Sequence, residues 1–170
     1  NNNVNQKNLI FIFNICNFLK INLKKIIPTL NKFKGLRFRN EIVINGKKIK
    51  VINDSKSTSF SSTQELIDTK KKTFWILGGL PKKGDKFTLS KKDCFNLRAY
   101  IFGKNAEFFV KRLKDKVHYQ KFNNMISALK KIKIDFKKEQ MSGEKIILFS
   151  PASASFDDFK NFEDRGKYFN

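Results

Sequence analysis

From residue 73 to the end of the chain, short apolar runs alternate with stretches of helical rhythm, and this alternation constrains the fold more than any other feature. Strands are expected at 73–77, 98–102, 117–122 and 145–149, and helices at 89–96, 106–113, 124–132 and from 156 onward. Strands separated by helices require right-handed crossovers, which lay the strands parallel and cover both faces of the sheet. Ahead of them, residues 36–44 and 48–52 flank Asn45-Gly46, the dipeptide that favours a two-residue hairpin because both central residues take positive φ. Ser62 and Glu65 have capping-box spacing for a helix reaching about residue 69. The expected fold is therefore α/β and Rossmann-like: a mostly parallel sheet with helices on both faces, entered by an antiparallel hairpin.

The first 33 residues read differently. Leu9, Ile12, Phe13, Cys16 and Leu19 follow the i, i+3, i+4 rhythm of a helix over 8–20, and a second helix is expected over 23–33, weakened or bent at Pro28. Lys34-Gly35 ends the pair, and a domain boundary is expected there, with residues 1–33 and 34–170 in different units. The chain opens on Asn1-Asn2-Asn3 rather than on Met, so it reads as a piece of something larger.

No run approaches the ~20 apolar residues of a membrane span, and no signal peptide is visible. Cys16 and Cys94 lie far apart with no C-x-x-C spacing, as in a reduced cytosolic chain, and the lone His118 is a packed or surface histidine rather than a metal ligand. A net charge of +21 raises the question of nucleic acid. Against it, only five of the 36 basic residues are Arg, the residue that reads bases and phosphates with two parallel bonds. The lysines are scattered, the longest run being Lys70-Lys71-Lys72. No nucleic-acid partner is expected, although a basic nucleic-acid-binding α/β module remains the rival outside enzymes.

Ligands bind at the carboxyl ends of the strands in such sheets. Three polar segments sit there. In Asn53-Asp54-Ser55-Lys56-Ser57-Thr58, Asp54 can meet a metal or the edge of a base or ribose, while Lys56 and Thr58 offer an ammonium and a hydroxyl to a phosphoryl group; the bland alternative is an Asx-turn beside a surface lysine. Gly78-Gly79-Leu80-Pro81-Lys82 allows close backbone approach and ends in a cation, or is an ordinary glycine pair after a strand. Ser155, with Asp158 three residues on, is placed to cap the last helix, either as a carboxylate site or as a cap alone. No G-x-x-x-x-G-K-[ST] occurs, so the phosphate cradle of any nucleotide lies elsewhere.

These segments, together with Gly35-Leu36-Arg37-Phe38-Arg39-Asn40-Glu41 and Ser150-Pro151-Ala152-Ser153-Ala154-Ser155-Phe156-Asp157-x-Phe159-x-x-Phe162-x-x-Arg165-Gly166, resemble the carboxyl-terminal part of the Mur ligases. Asn53-Asp54-Ser55-Lys56 is the discriminating motif and is similar to the D-glutamate-adding branch. Asn5-x-x-Asn8 resembles the asparagine pair that closes the family's central ATP-binding domain, so residues 1–33 would be the tail of that domain and 34–170 the carboxyl-terminal one.

The resemblance implies that Asn5, Asn8, Arg39 and Asp54 face ATP, and that Lys56 and Thr58 reach the UDP-N-acetylmuramoyl-L-alanine substrate and the transferring phosphate. It further implies that Lys82, Ser155, Phe156 and Phe162 hold D-glutamate. Activity would be ATP-dependent amide-bond formation through an acyl phosphate in a bacterial cytoplasm, by an enzyme monomeric when full length. Mg2+ would be held mainly by residues outside this chain, which alone would be inactive. Another ATP-dependent amide ligase of the same fold is the enzyme rival. This chain departs from the family at Phe38, where His is usual, at Ser153, where Cys is common, at Ser59, where Asn is common, and at the bulky residues 10–13, where alanines prevail.

Overall fold

The computed structural model describes residues 6–139 and 143–170. The chain divides into two compact units, residues 1–36 and 37–170. In the first, α1 (Gln6–Phe18) ends because Lys20 takes a left-handed φ of 54°, with Ile21 N donating to Cys16 O and Lys20 N to Asn17 O, which satisfies the last carbonyls. Asn22 then caps α2 (Leu23–Lys32), its side chain accepting from Lys24 N, and Pro28 is accommodated within the helix. Asn5 lies outside the described residues, and Asn8 is an exposed residue of α1.

The second unit holds one six-stranded sheet: β1 (Glu41–Asn45), β2 (Ile49–Asn53), β3 (Lys72–Gly78), β4 (Leu97–Phe102), β5 (His118–Phe122) and β6 (Lys145–Phe149), in the order β1-β2-β6-β3-β4-β5. Only β1 and β2 pair antiparallel; the other four pairings are parallel. The helices are α3 (Phe60–Gln64), α4 (Ala106–Leu113), α5 (Met125–Lys138) and α6 (Phe162–Phe169). Because both faces of β3 are covered, its residues form a continuous apolar run rather than an alternation. Trp75 and Leu77 pack with Phe60, Phe109 and Leu113 on one face; Phe74 and Ile76 pack with Tyr100, Ala128, Ile132 and Phe149 on the other.

Several boundaries differ from the sequence expectations. Residues 91–96 form successive turns with i to i+3 bonds, not a helix. The helix expected from Ser62 to residue 69 is capped instead by Ser59, whose side chain accepts from Ser62 N, and ends at Gln64. In the hairpin, Asn45 pairs with Lys50 and Gly46 N donates to Ile49 O, so the tip falls on Lys47-Lys48 and neither Asn45 nor Gly46 takes positive φ. Helix α5 continues six residues beyond the expected 132. The last helix starts at Phe162 rather than 156, capped by Asn161, whose side chain accepts from Asp164 N at 2.7 Å.

The strand order places the site. From β3 the chain moves outward through β4 to β5, then returns to the other side of β3 as β6. The order reverses between β3 and β6, the kind of switch point at which ligands bind in open α/β sheets.

Candidate functional site

Each of the three polar segments leaves a carboxyl end of the sheet. Asn53, last residue of β2, is fully buried; its Nδ2 donates to Gly166 O and Asn170 Oδ1 at 2.8 Å, and its Oδ1 accepts from Ser55 N. The loop thus turns sharply at Asp54, and α6 is tied to it. The Asp54 carboxylate accepts from Asn40 N at 3.0 Å and from Ser150 Oγ at 2.9 Å. Burial nevertheless raises its pKa from the ordinary 3.8 to about 6, against the lowering effect of these two bonds and of the Arg39 charge. Ser150 sits in a hydroxyl relay: its Oγ lies 2.8 Å from Thr63 Oγ1, which lies 2.8 Å from Ser57 Oγ. Its carbonyl accepts from the Trp75 indole at 2.8 Å.

The glycine pair is required by close approach. Gly78 and Gly79 have φ of 149° and 129°, and a Cβ on Gly79 would stand 2.5 Å from Ser153 Oγ and 2.6 Å from Ala154 O. Leu80 and Ala154 form a reciprocal pair of 2.9 Å backbone bonds, which joins the loops after β3 and β6 directly. Lys82 lies two residues beyond one side of this bridge and Ser155 one residue beyond the other. Lys82 is exposed and Ser155 buried. Ser155 does not cap a helix: its carbonyl accepts from Phe159 N at 3.0 Å in a single turn, so the helix N-terminus expected at this residue is absent.

Lys56 is half-buried, its ammonium 4.0 Å from the centre of the Phe162 ring, an electrostatically favourable stack. Arg39 and Thr58 are exposed, as is Phe156 at 71%. Phe38 is buried with φ 61°, its carbonyl accepting from Lys56 N, and its ring fills the space that a Cβ on Gly166 would need, 2.3 Å away. The departure from histidine at Phe38 is thus a packing residue against α6.

Sequence reasoning assigned no role to Arg165, and the structure puts it at the middle of the site. Its guanidinium is fully buried and bonded to the loops after β2 and β6. Burial draws its pKa down to about 10, so it stays charged at neutral pH. The available signal was its place on α6, three residues after Phe162 and four before Phe169, on an inward-turning face. Nearby, burial raises the Asp157 pKa, and one of its carboxylate oxygens is enclosed without a hydrogen-bond partner. Among the described residues no group of three His, Cys, Asp or Glu could hold a metal ion.

No protein-family model matches the chain. The UDP-N-acetylmuramoylalanine–D-glutamate ligase of Wolbachia pipientis wMel is 36% identical over 166 residues, 97% of this chain and 32% of its own length. That of Francisella philomiragia is 34% identical over 169 residues, 97% of this chain and 40% of its own. The chain belongs to the Mur ligase family. It spans about a third of the length of the curated Mur ligases it matches. A solved MurF ligase from Thermotoga maritima in complex with ADP aligns over 73% of this chain and 29% of its own at 16% identity and a TM-score of 0.48, a likeness that carries no argument. In this Mur ligase chain the candidate site residues on the loops after β2, β3 and β6 are joined by backbone and side-chain bonds, and α6 is tied to the first and last of these loops.

Proposed function

We propose that residues 34–170 are the carboxyl-terminal domain, and residues 1–33 the tail of the central ATP-binding domain, of a ligase that joins D-glutamate to UDP-N-acetylmuramoyl-L-alanine. The observation that carries this reading is the convergence of Asn53-Asp54-Ser55-Lys56, Gly78-Gly79 and Ser153-Ala154-Ser155 at one switch point, in a chain whose relatives bear that ligase's name. The reaction transfers the terminal phosphoryl group of ATP to the alanine carboxylate, leaving ADP and an acyl phosphate; the glutamate amine attacks its carbonyl, and inorganic phosphate and a proton leave as the amide forms.

In this reading Lys56 and Thr58 meet the muramoyl-alanine end and the phosphoryl group, where an ammonium offsets the negative charge that develops on oxygen. The Phe162 ring carries the Lys56 ammonium on its face, 4.0 Å from the ring centre. Lys82 and Ser155, carried by the two segments that the Leu80–Ala154 bridge joins, are assigned to the carboxylates of D-glutamate, with Phe156 and Phe162 against its methylenes. Asp54 and Arg39 are assigned to ATP, as are Asn5 and Asn8. The P-loop and most of the Mg2+ ligands are assigned to segments outside this chain. The enzyme acts in the cytoplasm as a monomer; among the described residues no helix is long and apolar enough to cross a membrane.

The test is phosphate release by the ligase carrying this chain together with its remaining domains, with each amino acid supplied in turn. Release that requires both UDP-N-acetylmuramoyl-L-alanine and D-glutamate is expected; equal or faster turnover with another amino acid overturns the substrate assignment. The chain alone should release no phosphate above a protein-free control, because it lacks a cradle for the β and γ phosphates.

A further inference from the structure

We propose that Arg165 is a positioning residue that locks the loop after β2 to the loop after β6 and so fixes where Lys56 stands relative to Ser155. The kinetic consequence rests on the ligase reading above; the lock itself does not. Arg165 Nε donates to Ser55 Oγ at 3.2 Å, and Nη2 donates to Ser55 O at 2.8 Å and Ser153 O at 2.9 Å. Nη1 reaches Ala154 O at 3.1 Å and Ser153 Oγ at 3.5 Å. A guanidinium has five N–H groups. All five are committed, and none is left for a ligand, so Arg165 acts only through the segments it holds.

Those segments bracket the site residues. Ser55 precedes Lys56, and its hydroxyl, besides accepting from Arg165, donates to Phe162 O at 2.8 Å. Phe162 in turn carries the Lys56 ammonium on its ring. Ser153 and Ala154 precede Ser155, and Ser153 Oγ donates to Gly78 O at 2.7 Å, which brings in the loop after β3. One planar side chain therefore joins two strand ends, and Ser153 extends the link to the third. A lysine at 165 would keep the charge but not the fork, and it could not face Ser55 and Ser153 at once.

Two measurements test this. In the chain itself, amide hydrogen exchange is followed in wild type, Arg165→Lys and Ser55→Ala, the last removing part of the lock should Arg165→Lys fail to fold. Both variants should speed exchange at residues 55–58 and 153–155 together, by at least about tenfold, since each bond to a charged group is worth about that in an equilibrium. Exchange in β4 should stay at its wild-type rate. Acceleration confined to one loop, or spread evenly over the whole sheet, overturns the lock.

In the ligase with all its domains, Arg165→Lys should raise the KM for D-glutamate and lower kcat, each by about tenfold or more, with the KM for ATP unchanged. A protein of lower thermal stability with wild-type KM for D-glutamate overturns the positioning role. A wild-type ligase indifferent to D-glutamate overturns the function reading instead, and the exchange data still decide the lock.

Discussion

Replacing Asp54 by Asn should stabilise the protein at neutral pH. Asp54 is 8% exposed, and its carboxyl is raised from 3.8 to about 6, chiefly by burial. Folded Asp54 therefore holds its proton more tightly than the unfolded chain does. Between pH ~4 and ~6 the folded state binds more protons than the unfolded one, so stability falls as pH rises through that window and stays level above it. At about 1.4 kcal/mol per tenfold in the proton equilibrium, the ionised carboxylate costs about 3 kcal/mol at pH 7. An asparagine keeps the geometry: its Oδ1 still accepts from Asn40 N, and its Nδ2 donates to Ser150 Oγ, whose hydrogen turns to Thr63 Oγ1.

Urea unfolding from pH 3.5 to 8 reads this directly. The single tryptophan, Trp75, is fully buried and bonded to Ser150 O, so its emission reports on the same network. With a slope of about 1.5 to 3 kcal/mol per molar, the Asp54→Asn midpoint should exceed wild type by about 1 to 2 M at pH 7 and match it at pH 3.5. Equal midpoints at pH 7, or the same gap at pH 3.5 and pH 8, refute the reasoning. In the ligase the same substitution should weaken ATP binding, a gain in stability taken from the site.

Other substitutions read other parts of the edge. Gly79→Ala introduces a Cβ 2.5 Å from Ser153 Oγ at φ 129°, and should destabilise by about 2 kcal/mol or more in urea titration; a loss below about 0.5 kcal/mol would mean the loop yields. In the full ligase, Lys82→Ala should raise the KM for D-glutamate by roughly 10- to 150-fold and leave that for ATP unchanged, with Lys82→Ala/Ser155→Ala losing less than the sum of the single changes because both residues share one ligand. A KM raised for ATP and D-glutamate alike would make the loop structural. Cys94, 2% exposed and with its thiol pushed up to about 11 by burial, should resist Ellman's reagent at pH 8 in a Cys16→Ser background until denaturant is added, and prompt reaction in the native protein would contradict its packing.

The parallel sheet was readable because its strands are buried on both faces, and runs such as Thr73 to Leu77 leave no helical alternative. Helix α4 was readable from its 3.6-residue rhythm, with Phe109, Val110 and Leu113 inward. The failures lie where a local signal was outweighed by the demands of the next element along the chain. Ser90 and Asp93 exchange the bonds of a capping box, yet residues 91–96 form only turns, because the chain must enter β4 at Leu97. Ser155 and Asp158 have cap spacing as well, but Asn161 with Asp164 captures the helix, and residues 155–160 run ahead of it as a turn between bends. Asp54 and Lys56 stood out because a strand breaks into polar residues there. Arg165 did not, since its partners lie up to 110 positions away and a helical arginine three residues from an aromatic is ordinary in one dimension.

Asp54 and Arg165 are buried charges of opposite sign serving one loop, and neither takes part in an ion pair among the described residues. Asp54 is held by an amide and a hydroxyl, Arg165 by three carbonyls and two hydroxyls. Burial moves both pKa values toward the neutral forms, against the opposing charges of Arg39 on Asp54 and Asp157 on Arg165. Had the chain paired them, their fields would cancel and desolvation would cost less. Left apart, each fixes its loop through bonds to neutral groups. The same separation predicts where tolerance ends: Ser55, which touches Arg165 and comes directly after Asp54, should accept no substitution that loses its hydroxyl without loosening the edge that Lys56 and Ser155 share.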